Sequence, residues 1–145
     1  MTIVTHVLAT TLGVRALKLT GSEAVLAYVF GCGVDIDHAI KAPFYLKAIG
    51  PRRQLGYYWR SSLQEPVALL WIVPLCFLLG TLVPVLFFLI HVAMDYSVSF
   101  EKMPWYPYSP VVTQGFLLGV SDKTKEAVLI VVLLCMNLLL FLAPL

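Results

Sequence analysis

The chain has 145 residues, of which 60% are hydrophobic and 12% are charged, and its mean hydropathy is +0.89. Soluble globular domains carry about twice that share of charged residues, so the composition indicates an integral membrane protein with one domain over residues 1–145. The formal net charge of +2 is too small to indicate a nucleic-acid partner. Three cysteines without a CxxC pair predict small buried side chains: Cys32, Cys76 and Cys135.

The first predicted elements are two helices that fold into a hairpin. Residues 3–18 predict a retained first helix, because they lack the basic start of a cleavable signal. Gly21 and Ser22 predict a turn, with Ser22 as the N-cap of a second helix over residues 23–33. In such a hairpin the start of the first helix and the end of the second lie together. The hairpin therefore brings His6 towards the residues that follow the second helix.

The second helix is followed by two carboxylates and an imidazole, at Asp35, Asp37 and His38. Ionisable groups beside a hydrophobic segment are costly to desolvate, so they persist mainly where they pair, bind a metal or line a wet cavity. Carboxylate oxygens with an imidazole suit zinc, manganese or iron, and oxygens alone would suit magnesium or calcium. The alternative is a polar helix end, in which an aspartate caps the next helix and His38 faces lipid headgroups.

Basic side chains dominate a predicted polar loop, residues 41–65, in which Glu65 is the acidic residue. The positive-inside rule places such a loop on the cytoplasmic face of a membrane. Arg60 has two interpretations, as a topological signal or as a group that binds a phosphate or carboxylate of a substrate. A second loop, residues 97–109, is rich in aromatic residues and prolines and is typical of the membrane interface.

A long apolar run, residues 66–97, lies between these loops. On one straight helix Glu65 and His91 would be about 40 Å apart and could not share a site. A glycine and a proline within residues 80–84 predict a turn, which makes two short helices and returns His91 to the end where Glu65 lies. His91 and Asp95 are four residues apart on one helix face. That spacing is found both in metal sites and in simple His–Asp hydrogen bonds.

The rest of the chain predicts one more crossing and a last helix. Residues 110–120 are apolar, residues 121–126 would turn on the face opposite the site, and residues 127–145 would form the last helix. On that arrangement Asp122 and Glu126 are ordinary solvated or capping residues. The predicted fold is an all-α integral membrane bundle of about five to six helices, built from hairpins of which some are short or re-entrant. More basic residues lie at the predicted site end than at the opposite end, which predicts that the site faces the cytoplasm.

Four motifs in this order resemble those of the predicted membrane-bound metal-dependent hydrolases of the YdjM type. They are Thr5-His6, Val34-Asp35-Ile36-Asp37-His38, His91-xxx-Asp95 and Trp105-Tyr106-Pro107-Tyr108-Ser109. That family is similar in motif to zinc-dependent phospholipase C enzymes, so the resemblance implies a helical metal site that acts on phosphoesters. Members carry a segment H-R-x-x-T-H-S, whereas residues 59–65 lack both histidines. In this chain Arg60 stands at the position of the family arginine and Gln64 at that of the second histidine, and Glu65 is a candidate substitute ligand.

We therefore expect a multi-pass hydrolase of the cell membrane, in which one or two divalent metals activate water against a phosphoester or other ester at the bilayer surface. Zinc is the first choice of metal, with manganese or magnesium as alternatives. Asp37 or Glu65 is the predicted general base, and Arg60 is predicted to stabilise developing negative charge. The expected partners are membrane lipids and a lipid or phosphoester substrate. The predicted metal ligands are His6, Asp35, Asp37, His38, His91 and Asp95.

Two other classes of function compete with this expectation. In the first, the protein is not catalytic, and the same residues form a structural metal site or a buried polar network. Access of water to the site distinguishes the two, because a catalytic metal keeps an exchangeable position and a structural one is closed. A transporter or channel is disfavoured, because few polar residues occur within the apolar runs.

Overall fold

The structure, a computed structural model, describes residues 2–36, 40, 43, 62–97, 103–105, 108, 109, 111–113, 115 and 119–142. Within these residues the chain is helical and contains no β-strand, so the all-α prediction is confirmed. The α-helices for which the described part of the chain gives bounds are α1 (Ile3–Ala16), α2 (Gly21–Gly31), α3 (Leu69–Leu79), α4 (Val83–Tyr96) and α5 (Asp122–Leu142). Short 3₁₀ turns cover Gly33–Asp35, Ser62–Gln64 and Pro66–Ala68.

The α1–α2 hairpin forms as predicted, but its turn differs in detail. The N-cap of α2 is Thr20, whose backbone is extended, and Ser22 already lies in the first helical turn. Gly21 makes this earlier start possible, because it adopts φ +54°, a conformation that costs glycine little. The prediction of Ser22 as the N-cap is therefore wrong. At its other end α2 stops at Gly31, two residues earlier than expected, and the 3₁₀ turn Gly33–Asp35 follows.

Small residues set the distance between α1 and its neighbours. A Cβ atom on Gly31 of α2 would overlap the Thr10 hydroxyl of α1. A Cβ atom on Gly13 would lie 2.9 Å from the ring of Phe87 on α4. The side chain of Phe87 is completely buried. Glycine at these two contacts lets α1 approach α2 and α4 closely.

The α3–α4 pair also forms the predicted hairpin. Gly80 ends α3 in the left-handed conformation with φ +66°, and the Thr81 amide closes the turn on the Cys76 carbonyl at 3.2 Å. Pro66 opens the 3₁₀ turn that leads into α3, at a position where its missing N–H costs nothing. The prediction of two short helices in place of one long one is confirmed. Their loop lies far from the site, and their other ends meet near Glu65.

The last helix lies on the side of α1, and it starts at the site end rather than opposite it. The Thr2 amide and the Thr5 hydroxyl both donate to Glu126 Oε1, at 2.8 and 3.1 Å. Further along, Asn137 Nδ2 donates to the Leu8 carbonyl at 3.0 Å, so α1 and α5 run in the same direction. The predictions that residues 121–126 lie opposite the site, and that Glu126 is merely solvated or capping, are wrong.

The position of α5 differs from the prediction because of the segment that precedes it. Those of residues 110–120 that the structure describes, 111–113, 115, 119 and 120, are not helical. Pro110, Gly115 and Gly119 all disfavour a helix there. None of these described residues forms a helical crossing, and α5 starts from the site end, where Glu126 meets Thr2 and Thr5.

One helix of the described residues, α5, is long and apolar enough to cross a membrane. The other apolar helices are shorter, and the 14 residues of α1 or α4 rise about 21 Å against the roughly 30 Å of a bilayer core. The expected membrane bundle is therefore not confirmed by helix length. Large apolar side chains are nevertheless exposed at the α3–α4 turn, including Phe77 and Leu78 at 82% and 85%. Cys135, predicted to be buried, is exposed on α5, whereas Cys32 and Cys76 are buried.

Candidate metal centre

Four of the six predicted metal ligands meet at one end of the helices. His6 lies in the first part of α1, Asp35 ends the 3₁₀ turn after α2, and His91 and Asp95 lie one turn apart on α4. One potential ligand atom from each residue lies within 4.8 Å of the other three. This group, called here the four-residue cluster, could hold a metal ion.

The imidazoles and carboxylates of the cluster alternate around a closed ring. His6 Nε2 lies 3.7 Å from Asp35 Oδ2 and 3.2 Å from Asp95 Oδ1. His91 Nε2 lies 3.6 Å from Asp35 Oδ1 and 3.7 Å from Asp95 Oδ2. Each carboxylate therefore faces both imidazoles, and the same ring nitrogen of each histidine points inwards. The hairpin argument from the sequence accounts for this meeting of α1 with the end of α2.

The two imidazole rings stack with their centroids 4.1 Å apart and an angle of 22° between their planes. His91 Nδ1 lies 3.1 Å from the Gly31 carbonyl oxygen, which can only accept, so Nδ1 carries the proton. In the neutral ring Nε2 then presents its lone pair to the two carboxylates, the tautomer that a metal-binding histidine needs. Both ring nitrogens of His6 are buried without a hydrogen-bond partner among the described residues. A buried polar group left in that state costs about 1–3 kcal/mol.

Burial makes this arrangement expensive without a positive charge. The side chains of His6 and His91 are fully buried, and those of Asp35 and Asp95 are 12% and 3% exposed. Two carboxylates that face the same pair of imidazoles repel each other in a low-dielectric site, and either protons or a cation must offset this. A cation bound at the centre would also use the inward lone pairs of both histidines.

The spacing of the donors fits a metal ion. Four ligands at about 2.0–2.1 Å in a tetrahedral arrangement lie about 3.3–3.5 Å from one another. The observed nitrogen–oxygen distances of 3.2 to 3.7 Å involve both oxygens of each carboxylate. One ligand atom per residue gives separations of up to 4.8 Å, so the side chains would move inwards around an ion. Two neutral imidazole nitrogens and two carboxylate oxygens are also ligands that zinc and other first-row metals accept. The donor set therefore fits a divalent metal.

Two further buried polar side chains, Gln64 and Glu65, lie in the segment before α3, and Gln64 contacts the cluster. Gln64 is completely buried, and its Nε2 donates to Asp35 Oδ1 at 3.0 Å and to the Val34 carbonyl at 3.3 Å. Glu65, 4% exposed, accepts a hydrogen bond from the Tyr96 hydroxyl at 2.8 Å. Sequence reasoning treated Gln64 only as the replacement for a family histidine and missed its contact with Asp35. Its place beside Glu65, at the end of the polar loop, was the available signal.

The thiol of Cys32 lies next to the cluster without belonging to it. Burial raises the pKa of this thiol, the negative charge of Asp35 raises it further, and the Thr10 hydrogen bond opposes the rise. Cys32 Sγ donates that hydrogen bond to Thr10 Oγ1 at 3.2 Å. A neutral thiol engaged with α1 is a poor metal ligand, since thiolate is the form that binds metals.

Three predicted functional residues, Asp37, His38 and Arg60, lie outside the described residues. Among the residues that the structure describes, the cluster of His6, Asp35, His91 and Asp95 carries the case for a metal site.

Comparison of the chain with family models, curated proteins and solved structures finds no match. The family resemblance therefore rests on the sequence motifs, and the case for function rests on the geometry of the four-residue cluster.

Proposed function

We propose that the protein is a membrane-bound metal-dependent hydrolase whose metal is held by the four-residue cluster. The observation that carries this proposal is the convergence of two imidazole nitrogens and two carboxylates from α1, α4 and the turn after α2, with Asp35 partly exposed and the other three buried. Purely structural hydrogen bonding does not explain the cluster well, because both nitrogens of His6 lack a hydrogen bond among the described residues. A metal ion would engage the inward nitrogen of this ring.

Zinc is the metal that this donor set favours. Two imidazoles make the site softer than the all-oxygen sites of magnesium and calcium, and the observed spacing is close to the edge of a zinc tetrahedron. Manganese is the first alternative, since it also accepts mixed nitrogen and oxygen ligands. When bound, such a metal lowers the pKa of a coordinated water and polarises an ester oxygen.

The protein groups around the cluster have distinct roles in this proposal. The side chain of Asp35 is the most exposed of the four, so water and substrate approach from its side. Glu65 is held in place by Tyr96 and, if it faces the entering water, serves as general base. Asp37 is the other proposed base, and Arg60 the group that stabilises negative charge on the substrate. These last two roles come from the sequence and its resemblance.

The position of α5 supports a site at the membrane surface. The polar start of this helix, from Asp122 to Glu126, bonds to Thr2 and Thr5, immediately before His6. If α5 crosses the bilayer, the cluster lies about one helical turn from the point where α5 enters it. The other charged end of the hairpins, at Arg15, lies about 5.1 Å from the ring of Phe141 near the end of α5. The apolar sides between these two ends then face lipid.

The same placement bears on topology. Lys123 and Lys125 lie at the site end, where the sequence had counted them on the opposite face. Together with the basic residues of the polar loop, this makes the site end the more positive one, so we propose that it faces the cytoplasm and that the shorter helices complete a thin multi-pass bundle. The proposed substrate is a phosphoester or other ester of the bilayer surface, by analogy with the family that the motifs resemble.

The test uses protein purified in detergent, loaded with zinc or manganese and assayed on a soluble phosphodiester and on phospholipid micelles. His91→Ala removes one metal ligand, and Asn137→Leu serves as the control because it removes a buried amide that bonds to the backbone carbonyls of Leu8 and Leu133. We expect hydrolysis by wild type and Asn137→Leu, and a loss of at least about a hundredfold in His91→Ala. Equal hydrolysis by all three proteins, or none by metal-loaded wild type on either substrate, would contradict the proposal.

A non-catalytic protein with a structural metal is the second candidate. It is favoured by the burial of His6, His91 and Asp95, since structural metal sites are closed and fully ligated. Exchange of a metal-bound water distinguishes the catalytic from the structural candidate. In a catalytic site the metal keeps a water that azide or phosphate can replace, with a change in the visible spectrum of the cobalt-substituted protein. In a closed site these anions leave the spectrum unchanged.

A further inference from the structure

Of the four residues in the cluster, Asp35 has the weakest support from secondary structure. His6, His91 and Asp95 are fixed by the backbones of α1 and α4. Asp35 is the last residue of a three-residue 3₁₀ turn, held by its own amide on the Cys32 carbonyl at 3.1 Å. It is also the most exposed of the four side chains. Something outside that turn must hold its carboxylate between the two imidazoles.

Gln64 supplies that support from a different part of the chain. One amide nitrogen, Nε2, binds both the Val34 carbonyl and Asp35 Oδ1, so it holds the turn and the carboxylate together. The oxygen that it binds, Oδ1, is the one that faces His91 Nε2 at 3.6 Å. The remaining oxygen, Oδ2, then faces His6 Nε2. The amide of Gln64 thereby fixes the rotation of the carboxylate as well as its position.

The segment that carries Gln64 is itself anchored to α3 and α4. The Glu65 amide closes the 3₁₀ turn on the Ser62 carbonyl at 3.4 Å, and the Val67 amide donates to the Pro104 carbonyl at 3.1 Å. The Tyr96 hydroxyl ties Glu65 to the end of α4, one residue beyond Asp95. The bond from Gln64 to Asp35 consequently connects the end of the α1–α2 hairpin with the start of the α3–α4 hairpin.

We propose that Gln64 is a positioning residue that sets the metal affinity of the cluster by orienting Asp35. The inference rests on the proposed metal site and adds to it a residue that does not touch the metal. Partners that orient a metal ligand typically change metal affinity by about 10–100-fold when removed. A residue with a merely structural role would change the stability of the protein and leave the affinity of the folded fraction unaltered.

The test measures zinc affinity by competition with a chromophoric chelator and the visible spectrum of the cobalt-loaded protein. Gln64→Met keeps the length and burial of the side chain and removes both N–H donors. Gln64→Asn keeps the amide but shortens its reach, and it serves if Gln64→Met does not fold. Asn137→Leu is the matched control, because Asn137 is also a buried amide whose Nδ2 donates to two carbonyls, those of Leu8 and Leu133.

We expect either Gln64 variant to bind zinc about 10–100-fold more weakly than wild type and to show an altered cobalt spectrum, with Asn137→Leu unchanged in both. Wild-type affinity and spectrum in a folded Gln64 variant would overturn the inference and leave the metal site standing. A wild-type protein that binds neither zinc nor cobalt would overturn the metal site itself.

Discussion

Two buried polar groups in this apolar molecule differ in how their polar atoms are used. Asn137, in the second half of α5, directs Nδ2 at the backbone carbonyls of Leu8 and Leu133, at 3.0 and 2.8 Å. In the four-residue cluster the side chains face one another, and His91 Nδ1 is the ring nitrogen that binds a backbone carbonyl. Asn137 joins two helices. The cluster instead converges on a point in space.

This difference distinguishes a side chain that stabilises helix packing from a group of side chains that can bind a ligand. A buried amide between helices supplies specificity of pairing, and its hydrogen bonds end on the backbone. A set of imidazoles and carboxylates whose inner atoms point at one another needs a charge at its centre. Burial of a polar side chain is thus a weak indication of function, and the direction of its polar atoms is a stronger one.

The largest effect that would sharpen this contrast is expected from Asp95→Ala. Asp95 contacts both imidazoles, so its loss removes one ligand and the charge that balances the metal. We expect zinc affinity to fall by at least about a hundredfold, measured by chelator competition. Asp122→Ala is a matched control, since Asp122 is exposed and pairs with Lys125 instead. Equal losses in the two variants would contradict the assignment.

A smaller effect is expected from Gly31→Ala, which acts on the cluster through the backbone. The added methyl group overlaps the Thr10 hydroxyl and lies within 3.3 Å of the other Thr10 side-chain atoms, so we expect α1 and α2 to separate and the Gly31 carbonyl to move away from His91 Nδ1. We expect a loss of about 1–3 kcal/mol in unfolding free energy from overpacking, with weaker metal binding. Gly119→Ala meets no atom within 4 Å and should change neither quantity. Unchanged metal binding in Gly31→Ala would show that this carbonyl does not orient His91.

The smallest effect is expected from Asn137→Leu. The variant loses two hydrogen bonds of Nδ2 but also removes Oδ1, which is buried without a partner among the described residues. The lost hydrogen bonds and the removal of this oxygen offset each other in part. We therefore expect the free energy of unfolding, measured by heat or denaturant, to fall by about 1 kcal/mol. Metal content should equal that of wild type. A loss of metal from this variant would break the distinction drawn between the two regions.

Sequence reasoning located much of the cluster because hairpins have simple geometry. Once residues 3–33 fold back on themselves, His6 must lie near Asp35, and a turn near Gly80 must return His91 to the same end. The His91–Asp95 pair follows from helical periodicity alone. These inferences need only helix existence and chain reversal, which apolar patterns and glycines indicate well.

The misplaced α5 shows where such reasoning fails. Residues 110–120 are apolar enough for a crossing, but composition does not determine whether a short segment with Pro110 and two glycines forms a helix. The residues described there form no helix, and Glu126, predicted on the far face, contacts Thr5 at the site end. Gln64 was underestimated for a different reason. Its role depends on a contact with Asp35 that has no sequence periodicity.

The measurement that tests the central claim most directly is X-ray absorption at the zinc edge, on purified protein whose metal content is known from mass spectrometry. We predict about one equivalent of zinc, with two imidazoles and the remaining ligands oxygen at about 2.0–2.1 Å. The imidazole signal should disappear together with the metal in the His6→Ala/His91→Ala variant. A sulfur ligand at about 2.3 Å, or no metal after incubation with zinc and manganese, would contradict the account.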